Sequence, residues 1–284
     1  MKPPVTIGAC VAEGAQRLAA AGIADARREA RLILAHALGV EAVTVTGYPE
    51  RPVPDPGAFE ALIARRERRE PLSHLTGRRE FWSLEFETGS ATLDPRPDSE
   101  TIIEAALKAV EDRATPLMVL DLGTGTGCLL LALLHELPMA RGLGVDVSAE
   151  AVAVARRNAE RLGFASRARF EEGSWGESLA GPFDLIVCNP PYIAMADIAG
   201  LEPEVAVFEP RLALDGGSDG LDAYRALTPD IARLLASEEG AAVLEFGADQ
   251  RQALAQIVAA EGLAVTGIAS DLAGRERCLT VRKR

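Results

Sequence analysis

The stretch VLDLGTGTGCLLLALL, Val119 to Leu134, decides how the rest of the chain is read. Its first residues form an apolar run of strand length, and the leucine-rich run from Cys128 is helical in pattern and length. Between them lie Gly123, Gly125 and Gly127. Glycine accepts left-handed backbone and lets a ligand approach the main chain closely, and the helix that follows begins with free N–H groups. Strand, glycine turn and helix open a βαβ unit. The pattern is neither GxGxxG nor GxxxxGK[ST]. Asp121 closes the strand, where an acid repels a pyrophosphate and suits a ligand bearing an amino group. A second acid, Asp146 in GVDVS, closes the next expected strand, where it can accept from both hydroxyls of a ribose. An ordinary βαβ turn with a helix cap is the alternative, and acids at two successive strand ends count against it.

Outward from this unit the pattern continues. Strands are expected at LMVLDLG, RGLGVDV, ARFEEG, FDLIVCN, AAVLEFG, LAVTGIA and RCLTVRK. Helices are expected between them at GCLLLALLHEL, AEAVAVARRNAERLG, GLDAYRALTPDIARLLA and DQRQALAQIVAAEG. Such alternation predicts a mostly parallel α/β sheet covered on both faces, with ligands bound beyond the carboxyl ends of the strands. Upstream the period is helical. ADARREARLILAHALGV places Ala30, Ile33, Leu34, Ala37 and Leu38 on one face, with Gly39 as a stop. DPGAFEALIARRERRE repeats this with Phe59, Leu62 and Ile63, opened by Asp55 as N-cap and Pro56 in the first turn. Between the two halves FWSLEFETGSATL alternates as a β-hairpin with TGS as its turn. The expected domains are a helical one over 1–75, a hairpin linker over 76–100 and a sheet domain over 101–284.

VCNPPYI, Val187 to Ile193, ends the fourth sheet strand. Two prolines cannot extend a ladder, because each lacks an N–H and fixes φ, so the strand stops at Asn189. A turn-forming strand terminator is the bland explanation. The glycine unit supplies another. A ligand with a ribose, a positive end and no required pyrophosphate fits S-adenosylmethionine, and ligands of such sheets bind beyond the carboxyl ends of the strands.

Composition narrows the classes. The chain has 284 residues, 48% of them hydrophobic, which is enough for a real core. Its net charge of −12 argues against a general nucleic-acid binder. The first 75 residues hold 10 Lys+Arg against 9 Asp+Glu, so the acidic excess lies beyond them. The basic run ARRERR, Ala64 to Arg69, reads as a solvated helix face in preference to a docking patch. Cys10, Cys128, Cys188 and Cys278 are widely spaced and form no metal motif, and His36, His74 and His135 are scattered, so reduced thiols and no metal site are expected. No stretch is apolar enough to span a bilayer, and no leader pattern opens the chain. A cytoplasmic monomer with no membrane and no stable nucleic-acid partner is expected.

With DLGTGTG and the second acid, residues from about Thr101 onward resemble the class I, Rossmann-like, S-adenosylmethionine-dependent methyltransferases. That implies seven strands, the last antiparallel and inserted beside the fifth. NPPY resembles the [ND]PPY motif of methyltransferases acting on planar amino nitrogens. REPLSHLTGRREFWSLEF, ATLDPRPDSE, NPPYI, FEPRLAL and RERCLTV, taken in order, resemble the HemK/PrmC family of protein-(glutamine N5) methyltransferases. The resemblance implies a small helical N-terminal domain that docks on peptide chain release factors, and a target glutamine in a Gly-Gly-Gln loop. It implies that Asp121, Gly123, Thr124, Gly125, Thr126, Gly127, Asp146, Ser174, Trp175 and Asn189 contact S-adenosylmethionine, with S-adenosylhomocysteine as product. Asn189, Pro190 and Tyr192 would carry catalysis, and Pro191, Phe81, Arg96 and Pro97 would join them in holding the substrate. Packing for Phe81 and a rigid turn for Pro97 are equal alternatives, and Trp175 could belong to the core. Glu209 in FEP is read as a brace for the NPPY loop or a turn cap. Two departures stand out. Ser174 replaces the family's usual Asp, with Glu172 available to compensate, and Asp94 stands where an apolar residue is common. Rival readings are a ribosomal-protein glutamine methyltransferase, an adenine-directed DNA or RNA methyltransferase, and a binding module with a vestigial cofactor fold.

Overall fold

The computed structural model describes residues 5–236 and 239–284. Residues 1–4, the start of the stretch read for a leader, lie outside the described residues. The chain divides into two units.

The first unit comprises the described residues up to Gly77 together with Glu202–Phe208. Its principal helices are Ile7–Ala20, Ala26–Leu38 and Gly57–Glu67, with shorter ones at Ala42–Gly47 and Leu72–Thr76. Thr6 caps the first by accepting from the Ala9 N–H. Gly39 ends the second at φ 63°, as a left-handed C-cap should. The third has Pro56 as its N-cap, one residue later than expected, while the Asp55 carboxylate accepts from the Gly57 N–H at 2.9 Å just outside the helix. The apolar faces, including Leu18, Ile33, Leu34, Phe59 and Ile63, meet in one core. Gly14 is needed there, since a Cβ on it would lie 2.7 Å from the Phe59 ring.

The basic run is not the solvated face expected of it. Arg66 is buried and bonds Glu29 at 2.6 Å and Glu204 at 2.9 Å. Arg69 bonds Glu204 at 2.7 Å and Glu202 at 3.3 Å, Arg65 pairs with Glu70 and Arg17 with Glu67. A buried guanidinium needs partners to offset its desolvation. Two of these carboxylates come from Glu202–Phe208, which the sequence reading assigned to the sheet domain.

The second unit holds a hairpin, β1 (Arg78–Phe81) and β2 (Leu84–Glu87), and a seven-stranded sheet. The sheet strands are β3 (Met118–Leu122), β4 (Arg141–Asp146), β5 (Ala168–Glu172), β6 (Leu185–Cys188), β7 (Ala241–Glu245), β8 (Leu263–Ser270) and β9 (Glu276–Lys283). Their order is β5-β4-β3-β6-β7-β9-β8, and β9 runs antiparallel to both of its neighbours. The last strand thus lies inserted beside the fifth, as the resemblance implied. Alternation within strands feeds two apolar layers. Val119, Leu185, Val187 and Val243 face the layer that includes Ile102, Leu130 and Val152. Leu120, Leu122, Ile186 and Leu244 face the one that includes Leu227, Ile231 and Leu254. Burial on both faces is why these strands read as continuous apolar runs.

The hairpin turns at Trp82-Ser83 and not at TGS. Both residues have positive φ, 53° and 59°, the conformation of a two-residue hairpin turn that usually demands Asn or Gly. Side chains hold it instead. Glu100 accepts from the Trp82 N–H at 2.9 Å, Glu80 accepts from the Ser83 N–H at 2.6 Å, and the Trp82 indole donates to Glu136 at 2.9 Å.

Candidate active site

Strand register sets the site. Leu122 pairs with both Val145 and Cys188, and Cys188 pairs with Leu244. Gly123, Asp146, Asn189 and Glu245 therefore leave four neighbouring parallel strands at the same edge. The sheet order reverses between β3 and β6, which is where a doubly wound sheet opens a crevice. A cavity of about 560 Å³ occupies that place, lined by residues 90–96, Ser99, the glycine turn, Asp146, Ser174, Trp175 and Asn189.

One wall is mostly main chain. Gly123, Gly125 and Gly127 have φ of 73°, 51° and 80°, where a side chain would be strained. The Asp146 carboxylate accepts from the Gly125 N–H and the Ser148 N–H, each at 2.9 Å. A carboxylate offers about four lone-pair directions, so it retains acceptors for a diol. The indole of Trp175, itself at φ 49°, lies against the turn, 3.5 Å from where a Gly123 Cβ would sit. Asn158, which the sequence reading passed over, anchors the turn from behind by donating to the Thr126 carbonyl at 3.0 Å while bonding the backbone of Glu87.

The other wall, at Ser99 and Asn189, is backed by a network of side chains. Asn189 Nδ2 donates to Ser99 Oγ at 2.9 Å, and Ser99 Oγ donates to Glu245 at 2.6 Å. The Tyr192 hydroxyl donates to the other Glu245 oxygen at 3.1 Å. Gln250 donates to the Tyr192 carbonyl at 2.8 Å, and the Tyr224 hydroxyl donates to the Glu245 carbonyl at 2.7 Å. Burial pushes the Glu245 carboxyl up, while the Ser99 and Tyr192 donors and Arg277 pull it down. Burial and the Glu245 charge hold the Tyr192 phenol well above its usual range, so it is no base near neutrality.

The residues singled out from sequence divide three ways. Gly123, Thr124, Gly125, Thr126, Asp146, Ser174, Trp175, Asn189, Pro191 and Arg96 line the cavity. Gly127, Pro190 and Tyr192 flank it, Gly127 with φ positive and a Cβ position 3.2 Å from Phe170. Asp121, Phe81 and Pro97 lie elsewhere. Asp121 is fully buried beneath the turn, accepts from Thr124 Oγ at 2.7 Å, and its carboxyl is pushed up to about 7 by burial. Phe81 packs edge-on to Phe86 in the core. Pro97 is exposed at the start of a 3₁₀ turn. Glu172 and Ser174 are both exposed. Glu209 braces a different segment from the one expected. It accepts from the Asp94 N–H at 3.1 Å and from Arg96 at 3.0 Å, and burial pushes its carboxyl up to about 7.

S-adenosylmethionine fits this cavity. The glycine turn leaves room where a Cβ on Gly125 would meet nothing within 4 Å, Asp146 keeps acceptors for a ribose, and the Trp175 ring offers a flat face to a base. Among the described residues no cluster of His, Cys, Asp and Glu could hold a metal ion, and no helix is long and apolar enough to cross a membrane.

Residues 9–77 match the model of the PrmC N-terminal domain, and residues 115–262 match a methyltransferase domain. A release factor glutamine methyltransferase of Rhodospirillum rubrum is 49% identical over 282 residues, covering 99% of this chain and 86% of that protein. One of Cereibacter sphaeroides is 46% identical over 94% of each chain, and one of Moorella thermoacetica is 40% identical over 99% of each. Among solved structures, the ribosomal protein L11 methylase of Lactobacillus delbrueckii subsp. bulgaricus superposes with a TM-score of 0.51 at 22% identity, over 68% of this chain and 82% of that one. That likeness concerns the fold, which is of the class I S-adenosylmethionine-dependent methyltransferases. Because these relatives are 40–49% identical over nearly the whole chain, and residues 9–77 match the PrmC N-terminal domain, the chain belongs to the release factor glutamine methyltransferase family.

Proposed function

We propose that this enzyme transfers a methyl group to the side-chain amide nitrogen of the glutamine in the Gly-Gly-Gln loop of peptide chain release factors. The helical unit would dock the protein substrate, and the enzyme would act as a cytoplasmic monomer. The observation that carries this reading is one cavity with an oriented amide, Asn189, on one wall and a glycine turn with Asp146 on the other.

When bound, S-adenosylmethionine supplies an electrophilic methyl group on a cationic sulfur and leaves as S-adenosylhomocysteine. The residues here supply the rest. An amide nitrogen is a poor nucleophile because its lone pair is delocalised into the carbonyl. Asn189 Oδ1 and the Pro190 carbonyl would each accept one N–H of the glutamine –NH2. Both contacts aim the nitrogen and draw electron density toward it. Pro190 and Pro191 stiffen the loop by fixing φ. Tyr192 and Gln250 hold it from behind. Geometry provides most of the acceleration, since orienting two reactants removes much of the entropic barrier. The nitrogen becomes acidic as its bond to carbon forms, so the proton leaves late and no base is required.

The test is mass spectrometry of unmodified release factor incubated with the enzyme and S-adenosylmethionine. One added methyl on the glutamine of the Gly-Gly-Gln loop is the expected result. Cofactor binding without that product would move the substrate to a ribosomal protein or a nucleic acid.

A further inference from the structure

The Ser99 hydroxyl stands between two groups that constrain its proton. On one side is a Glu245 oxygen at 2.6 Å, on the other the Asn189 amide at 2.9 Å. Glu245 is 2% exposed, so water does not compete for it, and its second oxygen already accepts from Tyr192. Burial raises the Glu245 carboxyl on balance, yet each of its two oxygens faces a hydroxyl donor, Ser99 and Tyr192, which is the pattern of a carboxylate that only accepts. Ser99 has one proton and gives it to Glu245, which leaves a lone pair facing Asn189. Only the –NH2 edge of that amide can meet a lone pair. The outcome is an Asn189 whose Nδ2 is spent and whose Oδ1 is free to accept. Turned the other way, Asn189 would point a donor at the donors of an incoming –NH2.

We propose that Ser99 and Glu245 are positioning residues that set the hydrogen-bond polarity of Asn189, and so select a substrate that offers an N–H. The proposal rests on the amide-methylation reading above. Sequence distance hides it: Ser99 precedes Asn189 by 90 residues and Glu245 follows Ser99 by 146. Strand register supplies the proximity, because β6 and β7 pair up to Cys188 and Leu244, one residue short of Asn189 and Glu245.

Three variants test this. Glu245→Gln is nearly isosteric and keeps an acceptor for Tyr192. Its –NH2 donates to Ser99, however, which frees the serine proton to turn toward Asn189 and reverses the polarity. Ser99→Ala removes the relay, and Ser99→Thr keeps a hydroxyl. The measurements are kcat and KM for release-factor methylation, the Kd for S-adenosylmethionine, and NMR exchange protection of the Asn189 side-chain amide protons. Glu245→Gln and Ser99→Ala should each lower kcat by about tenfold or more, the scale of a charge-assisted hydrogen bond. The Kd for S-adenosylmethionine should stay close to the wild-type value. Ser99→Thr should recover most of the rate lost in Ser99→Ala, and the amide protection should vanish in Ser99→Ala. An unchanged kcat in Ser99→Ala, or in Glu245→Gln that still binds the cofactor, overturns the proposal. So does an Asn189 amide no better protected in wild type than in Ser99→Ala. If the wild type methylates no release factor, the functional reading fails by itself, and the NMR comparison still decides the relay.

Discussion

The wall of the cavity built on β3 and β4 differs from the wall built on β6 and β7 in what the strands deliver to it. The first delivers backbone: three glycines at positive φ, and one carboxylate already bonded to two N–H groups of its own wall. The second delivers side chains that orient one another, Asn189 through Ser99 to Glu245 and back through Tyr192. A charged cofactor can be held by main chain and one acid. Telling the –NH2 of an amide from its oxygen requires partners whose donor and acceptor character is settled beforehand.

Asn189→Ala is the hardest test of this division. It should lower kcat by about a hundredfold or more, as removing one preorganised transition-state contact does, with the Kd for S-adenosylmethionine nearly unchanged. Equal damage to both quantities would erase the distinction between the walls. Asp146→Ala should do the reverse. Loss of charge-assisted hydrogen bonds worth about 1.5–3 kcal/mol each should raise the cofactor Kd by at least about tenfold, while kcat at saturating cofactor stays close to wild type. Isothermal titration beside steady-state rates separates the two.

Substitution of Asp121 should leave catalysis least affected and act on stability instead, which sharpens the first wall from within. Asp121 is the last but one residue of β3, where Asp146 is the last of β4, and it is buried, bonded to Thr124 and absent from the cavity surface. Its carboxyl rises from an ordinary 3.8 to about 7 on folding. Between those values the folded chain holds a proton that the unfolded chain has lost. Stability is therefore fullest below the lower value and declines as pH rises toward the upper one, at up to about 1.4 kcal/mol per pH unit. Asp121→Asn keeps an acceptor for Thr124 and should flatten that decline. Urea denaturation of both proteins at pH 5 and pH 8 measures it, and parallel losses in the two would show that Asp121 is not the group involved.

The two acids also mark the boundary of what can be read from sequence. Motif and spacing put both at strand ends; Asp146 is the last residue of its strand and Asp121 the last but one. Which one reaches the ligand depends on the alternation of β3, which turns Asp121 toward the face of Val119 and under the following helix. The glycine turn and NPPY were legible because local chemistry dictates them: positive φ, and prolines that stop a ladder. Ser99, Glu245 and Gln250 were not, because they acquire meaning only when register brings distant strands together. The hairpin turn was misplaced for the opposite reason. TGS carries the usual turn residues, while Trp82-Ser83 is held in left-handed backbone by Glu80, Glu100 and Glu136, two of them far along the chain.

Arg66 adds an order in time. One of its two carboxylate partners, Glu29, precedes it, and the other, Glu204, follows by 138 residues. At the ~5–20 residues per second of protein synthesis, Glu204 is made roughly 7 to 28 seconds after Arg66. The helical unit begins the chain but cannot be completed first. Its buried cation waits, half-neutralised, until four strands of the sheet have been synthesised, so the last contacts of the N-terminal unit belong to the late stages of the nascent chain.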